Sequence, residues 1–296
     1  ETKRGETLVR GVERRLEQMA CSIVDYGLHA TIVEVNDGIL AELETMAAMG
    51  IPSFKMYMTY KDEGIMVSDQ DMLSVFSRCS GLPLLPGVHA ESDIIIESNM
   101  RKVTTRRWSD ICRVRSETAE EDAALRAAHL AWNEGSALYV FHVSSARVAR
   151  KLAELRTDGA KIYIETCPHY LVFDQGVLDH EDGHLYLMTP PLRSAQNREY
   201  LWRAVSAGVV DTTGSDDCTW YRWEKEKFLD RSKDSGMLVQ RFDRVAFGVG
   251  GVEFRLPLLW TEGVERRGLP VAHLVELLST RAAQVFGLFP RKGAIL

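Results

Sequence analysis

Apolar and polar positions follow two rhythms along this chain, and the switches between them outline its elements. Leu8, Val12, Leu16 and Met19 recur at helical spacing, which predicts a helix over residues 7–19. A strand is expected over Ser22–Val35, broken near Gly27, then a helix over about 38–48 closed by Gly50. The apolar run Phe54–Met58 reads as the next strand. Ser68 opens a helix that ends at Gly81, and Leu84–His89 follows as a strand. Residues 91–115 read as a polar, irregular excursion over a site. Thr118 and Glu121 have capping-box spacing ahead of an alanine-rich helix ended by Gly135. The alternation then runs through strand Ala137–Val143, a helix from Ser145 to about Arg156, strand Lys161–Glu165, helix Ser194–Val205 and strand Val209–Thr213. Residues 219–250 read as a long loop, and a helix at about 271–286 closes the chain.

Strands and helices alternating in this way imply parallel strands joined by helical crossovers. Barrels and doubly wound sheets both do this. No GxGxxG follows the first strand and no GxxxxGK[ST] occurs, so the phosphate loop of a nucleotide-binding protein is missing.

One residue breaks the pattern. Lys55 sits inside the apolar Phe54–Met58 run, and burying an ammonium costs several kcal/mol unless it is paired or loses its charge. Either a carboxylate partner or solvent at the strand end accounts for it, or burial has made the amine a nucleophile. Other polar residues fall at successive strand ends: His89, His142, Thr166 and Asp216. In a parallel barrel all such ends open on one face, so these residues would converge. A lysine, two histidines and an aspartate can ligate metal if the lysine becomes an anionic carbamate by reacting with carbon dioxide.

Composition narrows the field. Hydrophobic residues make up 45% and charged residues 26% of the 296, ordinary for a globular chain with a real core. A net charge of −6 gives no reason to expect nucleic acid or an anionic membrane as partner. No apolar run approaches the roughly 18 residues of a membrane span, and the start lacks signal-peptide architecture. The missing initiator methionine leads us to expect that the chain begins inside a longer protein. Five scattered cysteines without CxxC spacing read as reduced thiols in a cytoplasmic protein.

Several stretches together resemble the cyclic amidohydrolase family of dihydropyrimidinase, hydantoinase, allantoinase and dihydroorotase, nearest to the dihydropyrimidinase/hydantoinase group. They are Gly50–Lys61 (GIPSFKMYMTYK), Val88-His-Ala-Glu91, Tyr139–Ser144 (YVFHVS), Glu165–Leu171 (ETCPHYL) and Thr189-Pro-Pro-Leu-Arg193. Thr212–Thr219 (TTGSDDCT), Gly251-Val-Glu253 and Phe289–Gly293 (FPRKG) complete them, in one order along nearly the whole chain. The resemblance implies a (β/α)8 TIM barrel of which this chain carries about six strands. It implies that Lys55 is carboxylated and bridges two divalent metal ions, zinc by expectation, with His89, His142 and Asp216 as further ligands. Asp216 would also shuttle the proton, Tyr60 would stabilise the oxyanion, and main-chain groups at Thr189 would hold the ring amide. The implied reaction is hydrolysis of a dihydropyrimidine- or hydantoin-type ring to the N-carbamoyl amino acid, in a cytoplasmic homo-oligomer, a tetramer or dimer. Allantoinase- or dihydroorotase-like ring specificity is the alternative, as is a non-catalytic dihydropyrimidinase-related scaffold.

Three departures from the family pattern stand out. The His-x-His pair that completes the first metal site is absent from all eight histidines. The barrel strands number six, and residues 1–296 are expected to be a catalytic barrel domain lacking its first strands and most of a small β-sandwich. Where the family has an asparagine, this chain reads Phe247-Gly-Val-Gly-Gly-Val-Glu253, which puts a flat apolar face in the substrate pocket. The remaining histidines are expected to be structural: His29 packed in a strand, His169 shaping a strand end, and His129, His180, His184 and His273 on the surface.

Overall fold

Alternation within the strands decides where the lysine goes. In β2 (Ser53–Tyr57), Phe54 and Met56 are fully buried, while Lys55 and Tyr57 project from the opposite face and are half-buried. The computed structural model describes residues 2–295. Six strands, β1 (Ala30–Thr31), β2, β3 (Leu85–His89), β4 (Leu138–Val140), β5 (Ile162–Thr166) and β6 (Thr212–Thr213), pair in parallel and in chain order. Lys55 pairs with Gly87, and Gly87 with Tyr139, so three strands meet level with the lysine. Gly87 allows that approach: a Cβ there would lie 2.5 Å from Phe141 Cε2 and 2.9 Å from the Tyr139 carbonyl.

Helices α1 (Leu8–Met19), α2 (Asp37–Ala48) and α3 (Asp69–Cys79) come first, and α4 (Asp93–Lys102) and α5 (Ile111–Val114) lie in the 91–115 excursion. Then come α6 (Glu117–Asn133), α7 (Ala146–Thr157), α8 (Pro168–Val172), α9 (Ala195–Ser206) and α10 (Arg222–Glu226). The main core lies between strands and helices, where Phe54, Val88, Val140 and Ile164 meet Leu43, Phe76 and Leu152. The buried alanines of α6 let that helix lie close to the sheet. A second cluster, including Ile96, Trp108, Val114, Leu187 and Phe242, joins the 91–115 excursion to the 219–250 loop.

The structure is an α/β fold with a parallel sheet, and it corrects four local expectations. The strand expected over Ser22–Val35 shrinks to Ala30–Thr31, because burial begins only at Ala30 and Ile23 is 99% exposed. Residues 91–115 are largely helical: Asp93 in the first turn and Arg101 and Lys102 in the last suit the helix dipole of α4. The cap of α6 is Ser116, whose hydroxyl accepts from Ala119 N at 3.3 Å; Glu121 instead pairs with Lys151 and Arg147. The closing helix over Val271–Val285 carries a π-helical turn at Glu276–Thr280. Among the described residues β1 and β6 each pair on one side only, so six strands form the sheet. No helix among them is long and apolar enough to cross a membrane.

Candidate active site

Lys55, His89, His142 and Asp216 line one cavity of about 810 Å³, together with Tyr60, Thr189 and Phe247. Thr166, the remaining strand-end residue, turns away and donates from its hydroxyl to the Val143 carbonyl at 2.7 Å. Among the described residues, the non-glycine residues at positive φ are Tyr60 (69°), His142 (40°) and Asp216 (45°), all on this cavity. Such a backbone costs of order 1–3 kcal/mol and clusters where side-chain placement matters more than stability.

The histidines face each other. His89 Nδ1 and His142 Nε2 lie 3.2 Å apart, and His89 Nε2 lies 2.8 Å from Glu91 Oε2. The carboxylate accepts only, so it fixes the His89 proton on Nε2 and leaves a lone pair on Nδ1. Burial drives both imidazoles well below the usual histidine pKa, which keeps them neutral. Burial pushes the Asp216 carboxyl up, but the charge that His142, Lys55, His169 and His89 carry where the carboxyl titrates outweighs it and holds Asp216 below its ordinary value, ionised. The Lys55 amine has no carboxylate in ion-pair contact among the described residues; its neighbours are the rings of Phe141 at 4.7 Å and Tyr57 at 5.3 Å. Two neutral imidazoles whose facing nitrogens lie 3.2 Å apart and an ionised carboxylate fit a divalent metal, with Lys55 a further donor once carboxylated. No group of three or more His, Cys, Asp or Glu side chains among the described residues closes on a single point, so the donor set is an open half-shell.

Tyr60 and Thr189, 129 residues apart, meet at 2.5 Å between hydroxyls. Burial pushes the Tyr60 phenol up to about 12, so it stays protonated and able to donate. Phe247 stands on the cavity wall, its carbonyl accepting from Trp220 Nε1 at 3.0 Å. The adjacent Asp216 and Asp217 divide their work: Asp217 Oδ1 accepts from Gly251 N at 2.6 Å and Val252 N at 3.2 Å, tying the Gly-Val-Glu stretch beneath the site.

Other residues settle into supporting places. Of the histidines expected at the surface, His184 is fully buried, because Glu226 and the Trp108 ring enclose it. His29 donates to or accepts from Ser53 Oγ at 2.7 Å, ahead of β1 rather than in a strand. His169 is buried against the Tyr170 ring. Burial raises the Cys167 and Cys218 thiols above the usual range, away from nucleophilic chemistry. Sequence reasoning gave no role to Glu91, Arg115 or Glu165, although Glu91 and Arg115 are buried beside the cavity and the half-buried Glu165 accepts from His142 N at 3.0 Å. For Glu91 a signal existed in its place two residues after His89.

No protein-family model matches the chain. Its sequence is 35% identical over 301 residues to a D-hydantoinase of Geobacillus stearothermophilus, covering 99% of this chain and 62% of that protein. It is 32% identical over 280 residues to a D-phenylhydantoinase of Escherichia coli O9:H4 (strain HS), covering 93% and 58%. The fold superposes on the crystal structure of a dihydropyrimidinase from Brevibacillus agri with a TM-score of 0.91 at 32% identity, covering 100% of this chain and 63% of the other. On a D-hydantoinase from a Bacillus sp. the TM-score is 0.92 at 34% identity, with 100% and 64% covered. The chain thus spans somewhat under two thirds of the length of these relatives. Sequence and fold agree in likening the chain, over nearly its whole length, to the hydantoinases and dihydropyrimidinases of the amidohydrolase superfamily.

Proposed function

We propose that the protein of which this chain forms the barrel hydrolyses a cyclic amide or imide, of hydantoin or dihydropyrimidine type, to the N-carbamoyl amino acid. The observation that carries this reading is the convergence of Lys55, His89, His142 and Asp216 on one cavity, where Tyr60, His142 and Asp216 also carry positive φ. The names of the relatives favour the substrate class.

His89, His142, Asp216 and Lys55, the last once carboxylated, would hold the metal. Divalent ions there, zinc by our assignment, would supply Lewis acidity at the amide carbonyl and a water acidic enough to attack near neutral pH. The remaining steps belong to the chain. The Tyr60 hydroxyl, protonated across the working pH range, donates to the oxygen on which charge develops. The ionised Asp216 carboxylate takes the proton of the attacking water and passes it to the leaving ring nitrogen. Main-chain groups at Thr189 hold the ring amide, and Phe247 offers its face to a ring substituent. We assign the enzyme to the cytoplasm, as a tetramer or dimer.

The test uses the full-length protein, assayed for opening of phenylhydantoin and dihydrouracil before and after chelation. Ring opening should vanish with the metal and return with zinc. The open donor half-shell favours a non-catalytic relative as the second reading, and a metal-loaded protein that opened neither ring would establish it.

A further inference from the structure

We propose that Arg115 is a positioning residue that ties the Tyr60 ring to the histidine wall of the cavity; the inference rests on the cyclic-amide reading above. Arg115 is only 8% exposed and follows directly on α5, yet its side chain reaches the cavity lining. Its Nη1 donates to Glu91 Oε2 at 2.6 Å, and its guanidinium carbon lies 5.0 Å from the centroid of the Tyr60 ring. The same Glu91 oxygen accepts from His89 Nε2 at 2.8 Å. Glu91 is wholly buried, and its other oxygen has no partner among the described residues.

One buried cation therefore does two jobs. It neutralises the carboxylate that orients His89, and it supports the face of the tyrosine that would meet the oxyanion. Tyr60 needs that support, since its φ of 69° is disfavoured for a residue with a Cβ and its ring must be held by contacts. The Tyr60 hydroxyl itself meets Thr189, and that segment is fastened to Arg115 as well. Arg193 Nη1 donates to the Arg115 carbonyl at 2.6 Å, four residues after Thr189. Because the Arg115 charge is committed to Glu91, an anionic substrate group would meet a neutral pair there, which argues against a role in anion binding. Lysine could keep the charge beside Glu91 but has no planar fork to lie against a ring.

The experiment uses the full-length, metal-loaded protein, with Arg115→Lys and Arg115→Met made alone and Arg115→Lys also made with Tyr60→Phe. Arg115→Lys should keep its metal content and change KM by less than about threefold, while kcat falls about 10- to 100-fold. In the Tyr60→Phe background the same change should cost less than about threefold in kcat, because the hydroxyl it positions is gone. Wild-type kcat in Arg115→Lys, or the full loss in both backgrounds, would overturn the positioning of Tyr60. Arg115→Met strands Glu91 and should bind metal more weakly; a folded Arg115→Met with wild-type metal affinity would overturn the histidine arm. A wild-type protein that opened no cyclic amide would instead refute the functional reading, and the metal affinity of Arg115→Met would still decide the histidine arm.

Discussion

Phe247 lines the cavity at the position where the resemblance drawn from the sequence implies an asparagine. A pocket built on amide hydrogen bonds rejects rings that lack the matching groups, whereas a phenyl face favours aryl or alkyl substituents. We expect phenylhydantoin to be turned over better than dihydrouracil, and Phe247→Asn to move the kcat/KM ratio back toward the small ring by about 5- to 150-fold. Assays of both substrates in both proteins measure this, and an unchanged ratio would mean that Phe247 does not meet substrate. His169 gives a pH-dependent prediction. Burial lowers its pKa from 6.5 to about 4, so the unfolded chain takes up a proton that the folded chain refuses over that interval. Stability should therefore fall as pH drops from about 6.5 through 4, by about 2 kcal/mol between pH 7 and pH 5 from this residue. Urea melts of metal-free wild type and His169→Gln at the two pH values read it, since only wild type carries this loss.

Among the elements, the start of α6 shows what the sequence makes legible and what it hides. Ser68 and Ser194 were readable as helix starts because each precedes a periodic apolar pattern, and their hydroxyls do cap α3 and α9. At α6, Ser116 and Thr118 both offer a hydroxyl, and local pattern alone favours Thr118 with Glu121. The structure selects Ser116 because Glu120 then turns inward. There it accepts from Ser144 N at 2.8 Å and Ser145 N at 3.3 Å, and pairs with Arg193 at 2.8 Å. Those are tertiary contacts across more than 20 residues, which no local signal encodes. The same holds for the positive φ of Tyr60, His142 and Asp216 and for the Arg115 contacts. The strands that carry Lys55 and His89 and lead into His142, by contrast, are legible as apolar runs in the sequence. Because Glu120 and Arg193 are both buried, Glu120→Ala should destabilise the protein by about 3–5 kcal/mol in chemical denaturation, through the stranded guanidinium. A loss within about 0.5 kcal/mol would mean that water reaches this pair.

Taken whole, the described residues form a parallel sheet packed with helices, whose edge strands β1 and β6 each pair on one side only. Open parallel edges promote association. We expect the 296-residue chain by itself to associate, and a cooperative melt with monomeric mass in sedimentation would contradict this. The central claim, a metal-carrying hydrolytic centre built on Lys55, His89, His142 and Asp216, is tested most directly by anomalous diffraction at the zinc edge from the full-length protein. The account predicts anomalous peaks about 2.0–2.2 Å from His89 Nδ1 and His142 Nε2 and density continuing beyond Lys55 Nζ. A ring-opening enzyme whose crystals showed no anomalous peak there and a bare Lys55 amine would contradict it.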